Sequence, residues 1–196
     1  MLAIFKRELR SCFHGMIGAV LTAFMLAATA IYFVALNLGY GLPDFGYYTL
    51  HRTIFVLLLY IPVLTMRSFA EERKTRTDQM ILTAPVSIGH VVLGKYLALA
   101  AVHSIVVLGL CLYPLLLSRF GTVPFAQSYT GLFGMWLFGL AELAVCVFLS
   151  SLTENVIIAA VLSFACLFLS MIMPNLEQMI SADGNLLTTV LGALDI

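Results

Sequence analysis

Few side chains in this chain sit where they could do chemistry, and the clearest is Glu142. It lies inside the otherwise uncharged run Tyr129–Ser151, about eleven residues from Gly131 and ten from Leu152. A charge at the centre of a membrane helix costs at least ~2.5–3.5 kcal/mol on insertion scales, so such a residue faces protein or water. One reading makes Glu142 a gating or substrate-path residue, or the base of an intramembrane enzyme acting with His103. The other makes it a protonated or hydrogen-bonded packing residue, since Ser, Thr and Tyr partners abound. Catalysis also needs a nucleophile, base or metal partner, and spacing alone does not bring His103 to Glu142. His14, His51, His90 and His103 fall on different elements, without metal-ligand spacing. Cys12, Cys111, Cys146 and Cys166 form no C-x-x-C pair and read as small hydrophobes. The chain has no G-x-x-x-x-G-K-[S/T] and no H-E-x-x-H. It is therefore expected to be no enzyme, with no catalytic residue, metal or cofactor of its own.

The elements that must position these groups follow from composition. Of 196 residues, 62% are hydrophobic and 10% charged, where soluble domains carry roughly 25% charged residues. A soluble fold of this size has too much exterior to hide so much apolar surface. That excludes a soluble domain and a disordered chain. The formal net charge of zero leaves no field to attract polyanions, so nucleic acid is not an expected partner. The apolar residues come in long runs rather than alternating, which disfavours a β-barrel. The expectation is an all-α, polytopic helical membrane protein.

Its spans can be placed. Leu2, Phe5, Leu9 and Cys12 recur at helical spacing with Lys6, Arg7 and Arg10 on the other side, which predicts an interfacial amphipathic helix over 2–14. The run 17–38 is uncharged and long enough to cross about 30 Å of hydrocarbon. Ala28-Thr29-Ala30 resembles a signal cleavage site, but the apolar run continues beyond it. A Gly- and Pro-containing loop follows, then a second span over 48–70, with Arg52 and Arg67 near its ends and Pro62 inside it, which kinks the helix unless neighbours satisfy the freed carbonyl. The stretch 71–89 is the polar one. Lys95 is expected at an interface, ahead of a third span over 96–118. A fourth span covers 129–151. Ser151-Leu-Thr-Glu154 fits a capping box for a fifth span over 155–173, which Pro174 should end. The tail 174–196 contains no further full span. No internal repeat or linker is visible, so 1–196 reads as a single membrane domain.

Orientation follows from the cations. Lys6, Arg7, Arg10, Arg67, Arg73, Lys74, Arg76 and Lys95 fall on one side and Arg52 and Arg119 on the other. The positive-inside rule then places the N-terminus and the 71–89 loop in the cytoplasm and the segment 174–196 outside.

Four stretches carry a resemblance. LTMRSFAEERKT (64–75), ILTAPVS (81–87), VLGKYL (92–97) and SSLTEN (150–155), in that order, resemble ABC-2 type permeases, and look most like the gliding-motility and nitrous-oxide-cluster branch. The resemblance covers nearly the whole chain. It implies a bacterial inner-membrane permease with an N-terminal interfacial helix, six spans, and a loop after the second span that docks on an ATPase subunit. By that resemblance, Glu71, Glu72, Arg73, Lys74, Gln79, Met80, Ile81 and Leu82 carry the coupling to the ATPase, and a sixth span is expected after Ile196. Arg76 and Gln79 depart from the family, which usually has Gly and an acidic residue at these steps.

The implied partners are a cytoplasmic ABC ATPase holding ATP and Mg, a second permease copy or paralogue, the lipid bilayer, and an extracytoplasmic accessory protein where the cargo calls for one. The implied activity is ATP-driven export of an amphipathic substrate, because the spans carry few polar groups. The alternatives are a non-transporting subunit that transmits ATPase motion to an external assembly, and the Glu142 enzyme.

Overall fold

A computed structural model of the chain describes residues 2–14, 17–66, 69–70 and 88–182. Every element among them is helical. Helix α1 (Leu2–His14) is followed by α2 (Ile17–Tyr32), which widens into a π-helical stretch at Phe33–Gly39. A second π-helical turn, Gly46–Leu50, leads into α3 (His51–Thr65). Next come α4 (Ile88–Leu110) with its short continuation α5 (Leu112–Leu117), α6 (Phe125–Ser151) and α7 (Val156–Ala182). Among the described residues, five helical segments are long and apolar enough to cross a membrane: Gly18–Gly39, Gly46–Thr65, Gly89–Leu117, Phe125–Ser151 and Val156–Met173. Helix is the expected answer here, because each backbone polar group in hydrocarbon must be satisfied within its own segment.

Helix α3 is the centre of the bundle. It packs against α2, α6 and α7, and 61% of its span is buried, against 17% for the spans of α2 and α7. Helix α4 packs against α1, α2 and α6. The core joins Met25, Leu57, Ile61, Val102, Val106, Leu132 and Leu143 from four spans.

The end of the bundle opposite α1 is fastened by side chains. Asn37 in the first π stretch donates from Nδ2 to the Leu42 carbonyl at 2.7 Å and accepts from the Thr49 hydroxyl. Gly41 turns the chain with φ +66°, a conformation glycine takes at no steric cost. Asp44 accepts from the Tyr47 amide at 3.1 Å and from Gln127 Nε2 at 2.9 Å, which ties the first loop to the start of α6. Phe33, Phe45 and Tyr113 cluster beneath, with centroids 5.0–6.1 Å apart.

Several boundaries differ from the sequence expectation. The third helix starts at Ile88, so Lys95 stands seven residues inside it rather than at its edge, and its side chain is buried. The fourth starts at Phe125 rather than Tyr129. Helix α3 runs through Pro62 to Thr65 and stops short of Ala70; the Thr65 hydroxyl donates back to the Ile61 carbonyl at 3.0 Å. The capping box does not form. Ser151 stays in α6 and donates to the Phe148 carbonyl at 2.6 Å, and the cap of α7 is Asn155, whose Oδ1 accepts from the Ile157 amide at 3.0 Å. Asn at this position satisfies an orphan amide as well as Ser would, and Thr153 supports it by accepting from the Asn155 amide. Pro174 does not end the fifth helix, which continues to Ala182. A proline removes one backbone bond, but continuing the helix keeps the remaining groups satisfied.

Candidate functional site

Two groups of side chains stand out: one where α1 crosses α4, and one buried between the spans. At the first, α1 packs its half-buried Leu9 and Cys12 toward the bundle and leaves Lys6, Arg7 and Arg10 exposed. Glu8 bridges two cations. Its Oε1 accepts from Arg7 Nη2 at 2.8 Å and lies 3.7 Å from the ammonium of Lys95. Lys95 also stands 4.7 Å above the Phe69 ring, close enough for a cation–π attraction. Burying an ammonium is tolerable only with such partners, because the desolvation cost must be offset. One lysine thus joins α1, the start of α4 and Phe69. The last two flank the stretch 71–87 on either side. The Cys12 thiol is pushed up from its ordinary range, first by burial and then by the nearby Glu8 carboxylate, with Lys95 acting in the opposite direction. The α1–α2 corner is tight: a Cβ on Gly18 would stand 2.7 Å from the Cys12 carbonyl oxygen.

The second group runs along the inner face of α6. Gly139, Glu142, Cys146 and Ser150 are all buried there, at helical spacing. The His103 ring of α4 lies directly on Gly139, where any Cβ would overlap it. Tyr60 of α3 stacks obliquely over His103, with centroids 6.3 Å apart. Cys146, one turn beyond Glu142, lies against the hydroxyls of Thr65 and Ser163. Ser150 donates to the Met66 carbonyl at 3.4 Å, where α3 ends. Among the described residues Tyr60 Oη, both His103 nitrogens, Glu142 Oε2 and Ser163 Oγ are buried without a hydrogen bond. The Trp136 carbonyl faces the His103 ring outside hydrogen-bond geometry. Buried polar atoms are nearly always paired with protein or water. This seam, running from the middle of the bundle to the end of α3, is a polar strip in an interior that also buries Thr29, Asn37, Thr49, Thr53, Lys95 and Ser128.

Glu142 is therefore inside the bundle and not on the lipid face, and His103 sits within a turn of it along α6. The residues 71–82 assigned to coupling, namely Glu71, Glu72, Arg73, Lys74, Gln79, Met80, Ile81 and Leu82, lie outside the described residues. Sequence reasoning missed Tyr60, Ser163 and the buried role of Lys95. Cys146 and Gly139 were discoverable, since they stand four after and three before Glu142 on one helix face. No group of three or more His, Cys, Asp or Glu among the described residues is arranged to hold a metal ion.

One family profile, described as ABC-2 family transporter protein, matches residues 15–191. No curated protein and no solved structure matches the chain.

Proposed function

The chain belongs to the ABC-2 family of transporter proteins, and on that premise we propose that it converts ATP hydrolysis on a separate ATPase subunit into export of an amphipathic cargo. As a member of that family it is an integral-membrane permease component of an ABC transporter, a class that works with an ABC ATPase. The observation that carries the reading is the family match over almost the whole chain.

In the proposed arrangement two permeases pair above two ATPases in a bacterial cell membrane. The N-terminus and segment 71–89 face the cytoplasm, as the distribution of cations favours. Closure of the ATPases pushes on Glu71–Leu82. That motion reaches α3 through its cytoplasmic end and α4 through Lys95, and the spans tilt as rigid bodies. The ion pair of Lys95 with Glu8, and its contact with Phe69, support this route, because they couple α1 to both flanks of the same segment.

The test is substitution of Glu71, Glu72, Arg73 and Lys74 together by Ala. The expected outcome is loss of ATPase binding or permease-stimulated ATP turnover, with membrane insertion unchanged. Retained binding and full stimulation would refute the coupling assignment. Vesicle assays with the cognate ATPase test export. ATP turnover without flux of any amphipathic cargo tried would favour a subunit that passes motion to an external assembly.

A further inference from the structure

We infer that the groove between α1, α4 and α6 is a binding site for one anionic glycerophospholipid of the leaflet that α1 borders. The groove has a volume of about 680 Å³, within the range of sites for small molecules. Its walls are Phe5 of α1, Ala100, Ala101 and Ser104 of α4, and Trp136 and Leu140 of α6. The two alanines leave the space that larger side chains fill elsewhere along α4.

The polar groups in this groove are already bonded. Tyr96 donates to the Leu140 carbonyl at 3.0 Å, Trp136 Nε1 donates to Ser104 Oγ at 3.0 Å, and Ser104 donates to the Ala100 carbonyl at 2.8 Å. The surface left for an occupant is therefore apolar, unlike the seam around Glu142. The groove rises from α1, which meets α4 at the Glu8–Lys95 pair. From Leu97 to Ser104 it follows α4 for about 10 Å, at 1.5 Å per residue. That is the path of an acyl chain running from a headgroup toward the middle of the bilayer.

Charge decides which lipid. Lys6 and Arg10 do not line the groove but are exposed on α1, the helix that supplies Phe5 to it. Glu8 between them is engaged by Arg7 and Lys95. Two cations at the headgroup level attract anionic lipid and have no corresponding gain with a zwitterionic one. The inference rests on the membrane-embedded permease reading, and places the lipid in the cytoplasmic leaflet if the proposed orientation holds.

The experiment uses the full chain in mild detergent with equal amounts of dioleoylphosphatidylglycerol and dioleoylphosphatidylcholine, and reads retained lipid by native mass spectrometry. The parent is expected to keep the anionic lipid over the zwitterionic one by roughly tenfold. Lys6→Gln with Arg10→Gln should bring the two to near equality. Ala101→Trp, or the milder Ala101→Leu, should fill the groove and reduce retention of both, with the folded fraction tracked by size-exclusion. Equal retention of the two lipids by the parent would overturn the proposal. So would undiminished anionic retention in both Ala101 variants. If Ala101→Trp instead dissociates a dimer and leaves lipid retention alone, the groove belongs to a second copy and the proposal fails. ATPase stimulation, measured on the same preparations, keeps the two readings apart. Intact stimulation with no lipid preference refutes only the lipid site, and lipid preference without stimulation refutes only the coupling.

Discussion

At the scale of the residue, Glu142 and Gly139 make opposite demands. Glu142 Oε2 is buried without a hydrogen bond, and an ionised carboxylate so placed is costly. Glu142→Gln keeps the shape without the charge. It is expected to leave the thermal unfolding midpoint in detergent unchanged or higher, and a fall of several degrees would mean that the charge itself holds the bundle together. Transport by the same variant then reports whether the carboxyl is used in the cycle. Gly139 is required because the His103 ring occupies the place of a side chain. Gly139→Ala should destabilise by about 1–3 kcal/mol, the usual range for overpacking. His103→Ala in the same chain should recover part of that loss, giving a double-mutant coupling that two distant sites would not show. Additive losses would place His103 elsewhere.

At the scale of the element, α1 is docked on the start of α4 and, less extensively, on α2. Its anchors include the Glu8–Lys95 pair, the packing of Leu9 and Cys12, and the tight corner at Gly18. Cys12 reports on this docking. Because its thiol is pushed up by burial and by Glu8, little thiolate is present near neutral pH, and the thiolate is the reactive form. Maleimide labelling of Cys12 should therefore be slow at pH 7 and accelerate as pH rises toward the thiol's raised range. Glu8→Gln removes one cause of the shift and loosens the helix, and both effects should speed labelling. Lys95→Met separates them: lost charge alone would slow labelling, whereas release of α1 would speed it, which is the expected result. Unchanged rates in both variants would mean that α1 does not depend on this pair. Gly18→Ala should also speed labelling, since its Cβ cannot approach the Cys12 carbonyl to 2.7 Å without moving the backbone.

At the scale of the whole molecule, the prediction concerns sidedness. With eight of ten cations assigned to one face, single-cysteine variants at the N-terminus and in segment 71–89 should be labelled by an impermeant reagent only in inverted vesicles. A cysteine replacing Gly121, in the α5–α6 connection, should be labelled only from outside. The reverse pattern would invert the proposed transporter. The five spans and the all-helical architecture were legible in the residues, because uncharged runs of about 20 residues have one stable form in hydrocarbon. So were the amphipathic character of α1 and the burial cost that singled out Glu142. Element ends were less legible. The π-helical turns around Asn37 and Thr49, the passage of α7 through Pro174 and the cap at Asn155 all depend on which local hydrogen bonds win, and several residues offered competing ones. The company of Glu142 was half legible. Gly139 and Cys146 share its helix face by spacing alone, but Tyr60, Thr65, His103 and Ser163 come from three other helices, and helical periodicity carries no information about which faces meet. Lys95 shows the same limit. Its charge and its place before an apolar run suggested an interface, and only the crossing of α1 over α4 brought Glu8 to it from 87 residues away. Solvent transfer thus decided class, spans and family-bearing motifs residue by residue along the chain, whereas partners for buried polar groups depend on helix crossings, which are set by packing between surfaces distant in sequence.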